Sequence, residues 1–221
     1  TLTEVMTKVL EAGKQCLLLV PEIGLTPQNL SRFEQRFNCP VVAMHSAMTD
    51  RERLLAWQTT RSGCAPIVIG TRSAVFLPLA NPGIIIIDEE HDASFKQEDG
   101  VIYNARDMAV VRGRTAGVPV ILATATPSLE TVFNIQNGRY QKLSLPERHG
   151  GASLPEVFVV DMKAESLATD NYISVELEKR MSGKSGKNSH LIPKEISEDM
   201  CLVVAFCFGS LERFQRMSSA S

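Results

Sequence analysis

The stretch Ile84-Ile85-Ile86-Ile87-Asp88-Glu89-Glu90-His91 decides the fold. Its four consecutive β-branched residues follow the turn residues Asn81-Pro82-Gly83 and precede a group of acids. This pattern is typical of a strand that is buried on both faces of a parallel sheet. Because ligands of open α/β sheets bind where the strands end, we expect the acidic end of this strand to lie in a binding cleft.

Residues 88–91 have the composition of a nucleotide-hydrolysing site. An Asp directly after a buried strand can hold Mg²⁺, and a neighbouring Glu can polarise the water that attacks a γ-phosphate. The sequence DEEH has the form of a helicase-type Walker B motif. On this pattern alone, a strand with a solvated acidic end remains an alternative interpretation.

Composition limits the function classes. With 221 residues, 44% of them hydrophobic, the chain can bury one sizeable core, or form one domain with an appendage. The net charge of -2 provides no global basic field, so any contact with DNA must come from local loops and helix ends. The five cysteines lack C-x-x-C spacing, which argues against zinc and a disulfide framework and favours a reduced, cytoplasmic compartment. No apolar run approaches the roughly 20 residues that span a bilayer.

Helical and strand patterns alternate along the chain, with short polar junctions between them. The periodicity predicts helices that begin near residues 3, 27, 50, 104 and 127, and strands at 15–20, 41–44, 67–69, 84–87 and 118–123. This order predicts an α/β fold with a parallel sheet, helices on both faces and right-handed crossovers.

The chain changes character beyond residue 145. Residues 146–155 are rich in Gly, Pro and charge, as linkers are, and a strand at 157–161 and a helix at 175–181 are predicted after them. No consistent period follows residue 182. The apolar run 200–208 is either a strand whose sheet is missing or a disordered tail, and we favour the tail.

Four motifs stand at the ends of successive predicted strands, at residues 21–28, 70–74, 88–91 and 124–126. In this order and spacing they resemble motifs Ia, Ib, II and III of superfamily 2 helicases. The chain is more closely similar to the first motor domain of the bacterial primosomal replication-restart helicases. The similar segments are VPEIGLTPQ (20–28), IVIGTRSA (67–74), IDEEHDASFKQ (87–97), YNARDMAV (103–110) and ATATPSLET (123–131). The likeness covers residues 3–161.

The resemblance implies a RecA-like fold of the P-loop NTPase type and an ATP- and Mg²⁺-dependent 3′-to-5′ DNA helicase that acts in replication restart and primosome assembly. In that family Asp88 would hold Mg²⁺ together with Thr3, and Glu89 would be the catalytic base. The remaining nucleotide-site residues would be His91, Thr124 and Thr126. Without the resemblance, the Thr-Ala-Thr turn would be interpreted as a helix cap.

The resemblance also implies contacts with single-stranded DNA from two loops. Backbone amides beside Gly24 and Thr26, at the amino end of a helix, would bind phosphate. Arg72 and the amides near Thr71 and Ser73 would do the same. Taken alone, Arg72 would be an ordinary surface arginine.

A third DNA contact is expected from residues 92–103, which resemble the aromatic-rich loop of the family. Phe95 and Tyr103 would stack on bases, a contact worth roughly 1–3 kcal/mol each. Lys96, Arg106 and Arg112 would meet phosphate. Packing of Phe95 beneath its own loop is an equal alternative.

The sequence contains no G-x-x-x-x-G-K-[ST] phosphate loop. Thr3-Glu4-Val5 matches the end of the family's GKTEV, so we expect the sequence to begin just after the P-loop lysine, with the fold truncated at its amino end. The expected organisation is motor domain 1 at 1–145 without its P-loop strand, a linker and the start of motor domain 2 at 146–181, and an irregular tail at 182–221 that is frame-shifted or disordered.

The partners expected from the resemblance are single-stranded or forked DNA, replication-restart proteins and single-strand binding protein, with no membrane. We expect the isolated chain to have negligible ATPase activity. One alternative is a non-catalytic module that binds single-stranded DNA or a partner through residues 70–74 and 92–103. Another is a related superfamily 2 translocase, such as a fork-reversal or transcription-repair motor, which would keep DEEH but not VPEIGLTPQ.

Overall fold

The structure, a computed structural model, describes residues 2–144 and 201–205. The described helices are α1 (Leu2–Glu11), α2 (Pro27–Phe37), α3 (Asp50–Arg61), α4 (Ala105–Ala116) and α5 (Leu129–Gln136). The strands are β1 (Gln15–Leu19), β2 (Val41–Met44), β3 (Ile67–Gly70), β4 (Pro82–Asp88), β5 (Lys96–Gln97), β6 (Tyr103–Asn104), β7 (Val120–Thr124), β8 (Gln141–Ser144) and β9 (Cys201–Ala205). Short 3₁₀ helices lie at Glu22–Gly24, Arg72–Phe76 and Ala93–Phe95.

Within the described residues, seven strands form the main sheet in the order β2-β3-β1-β4-β7-β9-β8. The first five are parallel, as predicted, while β9 pairs antiparallel with both β7 and β8. The strand β4 lies between β1 and β7, with Ile87 paired to Leu19 on one side and to Leu122 on the other. Its central position explains why the isoleucine run is apolar on both faces.

Alternate residues of each central strand enter opposite cores. Leu17, Leu19, Ile85 and Ile87 face a core that includes Ala105 and Ala109 of α4, whereas Cys16, Leu18, Ile84 and Ile86 face one that includes Met6 and Val9 of α1. Helix α2 also packs on the second core, through Leu30, Phe33 and Phe37. The predicted arrangement of helices on both faces of the sheet is therefore confirmed.

Polar caps set the helix starts. Thr49 and Glu52 form a reciprocal capping box at α3, and Thr26 caps α2 by accepting a hydrogen bond from the amide of Asn29. The last described helix was expected to begin at Pro127 but begins at Leu129. The reason is that the Ser128 hydroxyl takes the N-cap position and accepts from the amide of Thr131.

The carboxyl-terminal expectation needs one correction. The apolar run was expected to be an irregular tail, but residues 201–205 form β9, in register with residues 120–124 and 141–144. The strand pairing satisfies backbone groups that a disordered tail would leave to water. The predicted linker at 146–155, strand at 157–161 and helix at 175–181 lie outside the described residues. The hairpin β5–β6 and the strand β8 were not predicted.

Candidate functional site

The strand order brings the four motifs to one edge of the sheet. The exits of β3, β1, β4 and β7 follow one another along the carboxyl edge. Backbone hydrogen bonds join neighbouring exits, from the Val20 amide to Gly70 O (3.0 Å) and from the Glu90 amide to Ala123 O (3.1 Å). The topology therefore places residues that are far apart in sequence in one row.

Asp88 and Glu89 occupy the end of β4. Asp88 is the last strand residue and is partly buried, and this burial raises the pKa of its carboxyl group, while a backbone hydrogen bond with Glu89 lowers it. Glu89 has a φ of 50°, in the left-handed region that non-glycine residues rarely adopt. The chain turns there, and the amide of Asp92 donates to the carbonyl of Glu89 at 2.8 Å.

His91 joins the acidic motif to the Thr-Ala-Thr turn. Its Nδ1 lies 2.7 Å from Oγ1 of Thr124 and 3.5 Å from a carboxylate oxygen of Glu89. The Thr124 hydroxyl also accepts a hydrogen bond from the amide of Thr126 at 3.1 Å. These contacts bring four of the predicted nucleotide-site residues together.

Thr3 is held by a different partner. Its hydroxyl accepts a hydrogen bond from the guanidinium of Arg36 on α2 at 3.0 Å. In residues 2–144 and 201–205, no three His, Cys, Asp or Glu side chains are grouped so that they could hold a metal ion. Mg²⁺ does not require such a group, because it usually keeps several waters and binds through one or two carboxylates and the phosphates of its substrate.

Glu90 is a buried residue that the sequence analysis did not single out. Its side chain is fully buried and contacts Arg106 of α4 (3.3 Å), the α5 N-cap residue Ser128 and Thr131 of α5. No local pattern pairs Glu90 with residues 16 to 41 positions away. The only available signal was a second acid next to a strand end.

In the loop after β1, polar groups of Gly24 and Thr26 are hydrogen-bonded within the loop or to the first turn of α2. The Gly24 amide donates to Pro21 O, and the carbonyl of Gly24 accepts from the side chain of Asn29 at 2.9 Å. The hydroxyl of Thr26 accepts the hydrogen bond that caps α2. The amino end of α2 is nevertheless exposed, at Thr26, Pro27 and Gln28.

The loop after β3 is tied to the loop after β4. One guanidinium nitrogen of Arg72 donates to the carbonyl oxygens of Lys96 (2.7 Å) and Ser94 (3.4 Å). Thr71 is buried and its amide donates to Met44 O, whereas Ser73 is exposed. The structure thus joins two of the three loops that were expected to contact DNA.

Three of the expected DNA contacts need correction. Arg112 is partly buried, and its guanidinium donates to the carbonyl oxygens of Val75 and Leu77. Phe95 is only 1% exposed and packs in the core beneath its own loop, so its ring offers no face for base stacking. Arg106 is 5% exposed, and its guanidinium is bonded to Glu90, Asp107 and Ser128. Burial opposes the charge of Arg106, but the neighbouring Asp107 and Glu90 outweigh it and raise the pKa of the guanidinium. Its charge is therefore satisfied inside the protein.

The other residues of this loop remain accessible. Lys96 is exposed and forms an ion pair with Glu98 at 2.9 Å. Tyr103 is half-buried, and its ring meets the edge of the exposed Phe76 ring with centroids 5.1 Å apart. Two further apolar side chains beside Tyr103, Val101 and Ile102, are strongly exposed. This surface lies next to the loop that Arg72 anchors.

Comparison with known proteins assigns the class. The chain belongs to the DEAD/DEAH box helicase family, whose model matches residues 1–135. Its sheet with flanking helices is accordingly a RecA-like α/β fold. No described helix is long and apolar enough to cross a membrane.

Relatives within this class point to one kind of protein. The chain is 46% identical over 185 residues to Replication restart protein PriA of Haemophilus influenzae, which covers 84% of this chain and 25% of that protein. It is 41% identical over 187 residues to the PriA of Bacillus subtilis, covering 84% and 23%, and 49% identical over 158 residues to that of Synechocystis, covering 69% and 19%. The chain therefore spans about a quarter or less of the length of these relatives.

A solved structure is also similar in part. The C-terminal part of the Fun30 ATPase domain aligns with 39% of this chain and 29% of its own, at 15% identity and a TM-score of 0.32. A likeness of this size has no bearing on the site.

Proposed function

We propose that this chain is the first motor domain of an ATP- and Mg²⁺-dependent 3′-to-5′ DNA helicase that acts in replication restart and primosome assembly. The observation that carries the proposal is the position of residues 88–91 at the carboxyl edge of the sheet, joined to Thr124 through His91. Membership of a helicase family supports a nucleotide-driven motor. The names of the relatives support replication restart.

The residue roles follow from the chemistry of the groups at this edge. Asp88 would hold Mg²⁺, which when bound neutralises charge on the transferred phosphate. Glu89 would orient the attacking water and accept its proton, and His91 and the Thr124–Thr126 turn would border the nucleotide. Thr3 would serve as the second oxygen ligand after releasing Arg36. The donor set of carboxylate and hydroxyl oxygens suits a hard cation such as Mg²⁺.

The DNA path would run along the loops after β1, β3 and β4. Arg72, Ser73 and Lys96 would meet phosphate, with the amides near Thr71, Gly24 and Thr26 adding uncharged donors, and Tyr103 would provide the stacking ring. Single-stranded or forked DNA, other replication-restart proteins and single-strand binding protein are the proposed partners. Bacterial DNA lies in the cytoplasm, which is therefore the proposed location.

The proposed domain organisation places motor domain 1 at 1–145 and a linker with the start of motor domain 2 at 146–181, while the strand β9 (Cys201–Ala205) belongs to the same sheet as residues 120–124. Hydrolysis in such motors takes place between two motor domains, so we expect negligible ATPase activity from this chain alone. DNA-stimulated turnover that is abolished by Glu89→Gln would contradict this expectation.

The experiment that tests the proposal is ATP binding at millimolar Mg²⁺, with and without single-stranded DNA. It compares this chain with the same chain carrying Gly-Ser-Gly-Lys directly before Thr3, since those residues would supply the phosphate cradle. Binding only by the extended chain supports the motor-domain proposal. Binding of DNA but of no ATP by either chain would refute it and favour a non-catalytic DNA-contacting module.

A further inference from the structure

The buried carboxylate of Glu90, at the sheet edge, accepts four hydrogen bonds. One carboxylate oxygen accepts from the Ser128 amide at 2.7 Å. The other lies 2.9 Å from the Thr131 hydroxyl, 3.0 Å from the Ser128 hydroxyl and 3.3 Å from Nη1 of Arg106. The side chain of Glu90 is 0% exposed and that of Arg106 is 6% exposed. A carboxylate with this many donors is held in one orientation.

Stability alone does not account for such a group. Desolvating an ion pair costs several kcal/mol per ion, and buried pairs can often be replaced by apolar residues of similar volume without loss. The donors to Glu90 come from the first turn of α4 and the amino-terminal turn of α5, and the Arg106–Ser128 hydrogen bond of 2.6 Å also joins these two helices. The geometry therefore suggests that the network fixes the position of the loop that carries Glu90.

The backbone on either side of Glu89 is held in place. Asp88 is paired with Ala123 in the sheet, and the Glu90 amide donates to the carbonyl of the same Ala123 at 3.1 Å. Between these two anchors Glu89 adopts its φ of 50°, a conformation that persists only where the surroundings impose it. The buried side chain of Glu90 reinforces the second anchor, because its fixed carboxylate resists movement of this residue away from β7.

We infer that Glu90, with Arg106 as its counterion, is a positioning residue that holds the Asp88–Glu89 acid pair in the geometry needed at the nucleotide site. This inference rests on the proposed function, because the acid pair needs a fixed geometry only if it forms a nucleotide site. Glu90 itself touches neither nucleotide nor metal, since it points into the protein. Its effect is transmitted through the backbone of residues 88–91.

The test compares the wild-type chain with Glu90→Gln, which keeps the shape but places an amide nitrogen among donors. The matched control is Glu130→Gln, because Glu130 lies 3.7 Å from the same Arg106 nitrogen but is 69% exposed. Glu90→Gln combined with Arg106→Gln removes the unpaired buried charge. Three readouts are taken: thermal unfolding, amide hydrogen exchange at Glu90 and Asp92, and Mn²⁺ affinity by electron paramagnetic resonance.

We expect Glu90→Gln to speed exchange of the two amides at least tenfold relative to the amides of β1 and to weaken Mn²⁺ binding severalfold, while Glu130→Gln changes neither. The double variant should regain thermal stability without regaining slow exchange or Mn²⁺ affinity. If Glu90→Gln does not fold, the double variant is compared directly with wild type.

Two results would overturn the inference. One is wild-type exchange and Mn²⁺ affinity in Glu90→Gln, and the other is full recovery of both in the double variant, which would mark a purely structural ion pair. If the wild-type chain binds no Mn²⁺, the proposed metal site fails, and the exchange comparison alone still decides whether Glu90 positions the acid pair.

Discussion

Nδ1 of His91 lies 2.7 Å from Oγ1 of Thr124, so the end of β4 and the end of β7 are joined by side chains as well as by backbone. Thr124 is buried, and its hydroxyl accepts from the Thr126 amide at the same time. The acidic motif and the Thr-Ala-Thr turn therefore form a single structural unit.

Replacement of Thr124 by valine should break this unit. Thr124→Val keeps the side-chain shape but removes the hydroxyl, and the lost hydrogen bonds should lower the free energy of unfolding by about 1–3 kcal/mol. Urea unfolding measures this loss, and the ¹⁵N resonance of His91 Nδ1 should shift as its partner disappears. The control is Thr126→Val, because Thr126 is exposed. An unchanged His91 resonance in Thr124→Val would show that the contact is absent in solution.

The left-handed backbone of Glu89 should determine which substitutions at this position are tolerated. Glycine adopts a positive φ without steric cost, whereas alanine does not, so Glu89→Gly should be more stable than Glu89→Ala by roughly 1 kcal/mol. Urea unfolding of both variants measures the difference. At Glu130, in the first turn of α5, the order should reverse because alanine favours a helix. If the alanine variant is the more stable one at both sites, the positive φ of Glu89 is contradicted.

The buried carboxyl of Asp88 makes the stability depend on pH. Burial raises its pKa above the ordinary aspartate value of 3.8, so the folded state holds the proton more tightly than the unfolded state. This contribution to stability is present below 3.8 and is lost as the pH rises through the folded pKa. Asp88→Asn cannot ionise, so its stability relative to wild type should rise across this window, measured by urea unfolding at a series of pH values.

Asp92 provides a control of opposite sign for the Asp88 prediction. Hydrogen bonds from Ser94 lower the pKa of Asp92, so the stability that its charge contributes is present above the ordinary value and lost as the pH falls through the folded pKa. Asp92→Asn should therefore lose stability relative to wild type as the pH rises. Parallel pH profiles for the two variants would contradict the burial of Asp88.

Gly70 is required by close packing at the exit of β3. A Cβ at this position would lie 2.7 Å from the backbone oxygen of Met44 and would clash with Cβ of Ala74. Gly70→Ala should cost about 1–3 kcal/mol of unfolding free energy, because the backbone of β2 cannot move aside freely. Gly24→Ala is the comparison at the exit of β1, where the added Cβ would meet only ordinary contacts at 3.5 Å or more. Equal costs in the two variants would refute the close packing.

Much of the fold and part of the site could be predicted from the sequence. The isoleucine run and the local periodicities that give the order of the elements led to the parallel sheet and to the row of strand exits. Phe95 was undecided between base stacking and packing, and it packs. Arg106 was expected at the surface because its buried partner Glu90 lies 16 residues away.

The sequence by itself determined that β4 is buried on both faces and ends in acids, since an uninterrupted β-branched run between turn residues and acids is typical of a strand covered on both sides. Only the tertiary structure decided which side chains those acids meet. His91 contacts Thr124, and Glu90 contacts Arg106, Ser128 and Thr131. These partners lie 16 to 41 residues away in the sequence. Likewise, long-range pairing places β9 between β7 and β8. Such contacts depend on strand order and register, which local patterns of hydrophobicity do not encode.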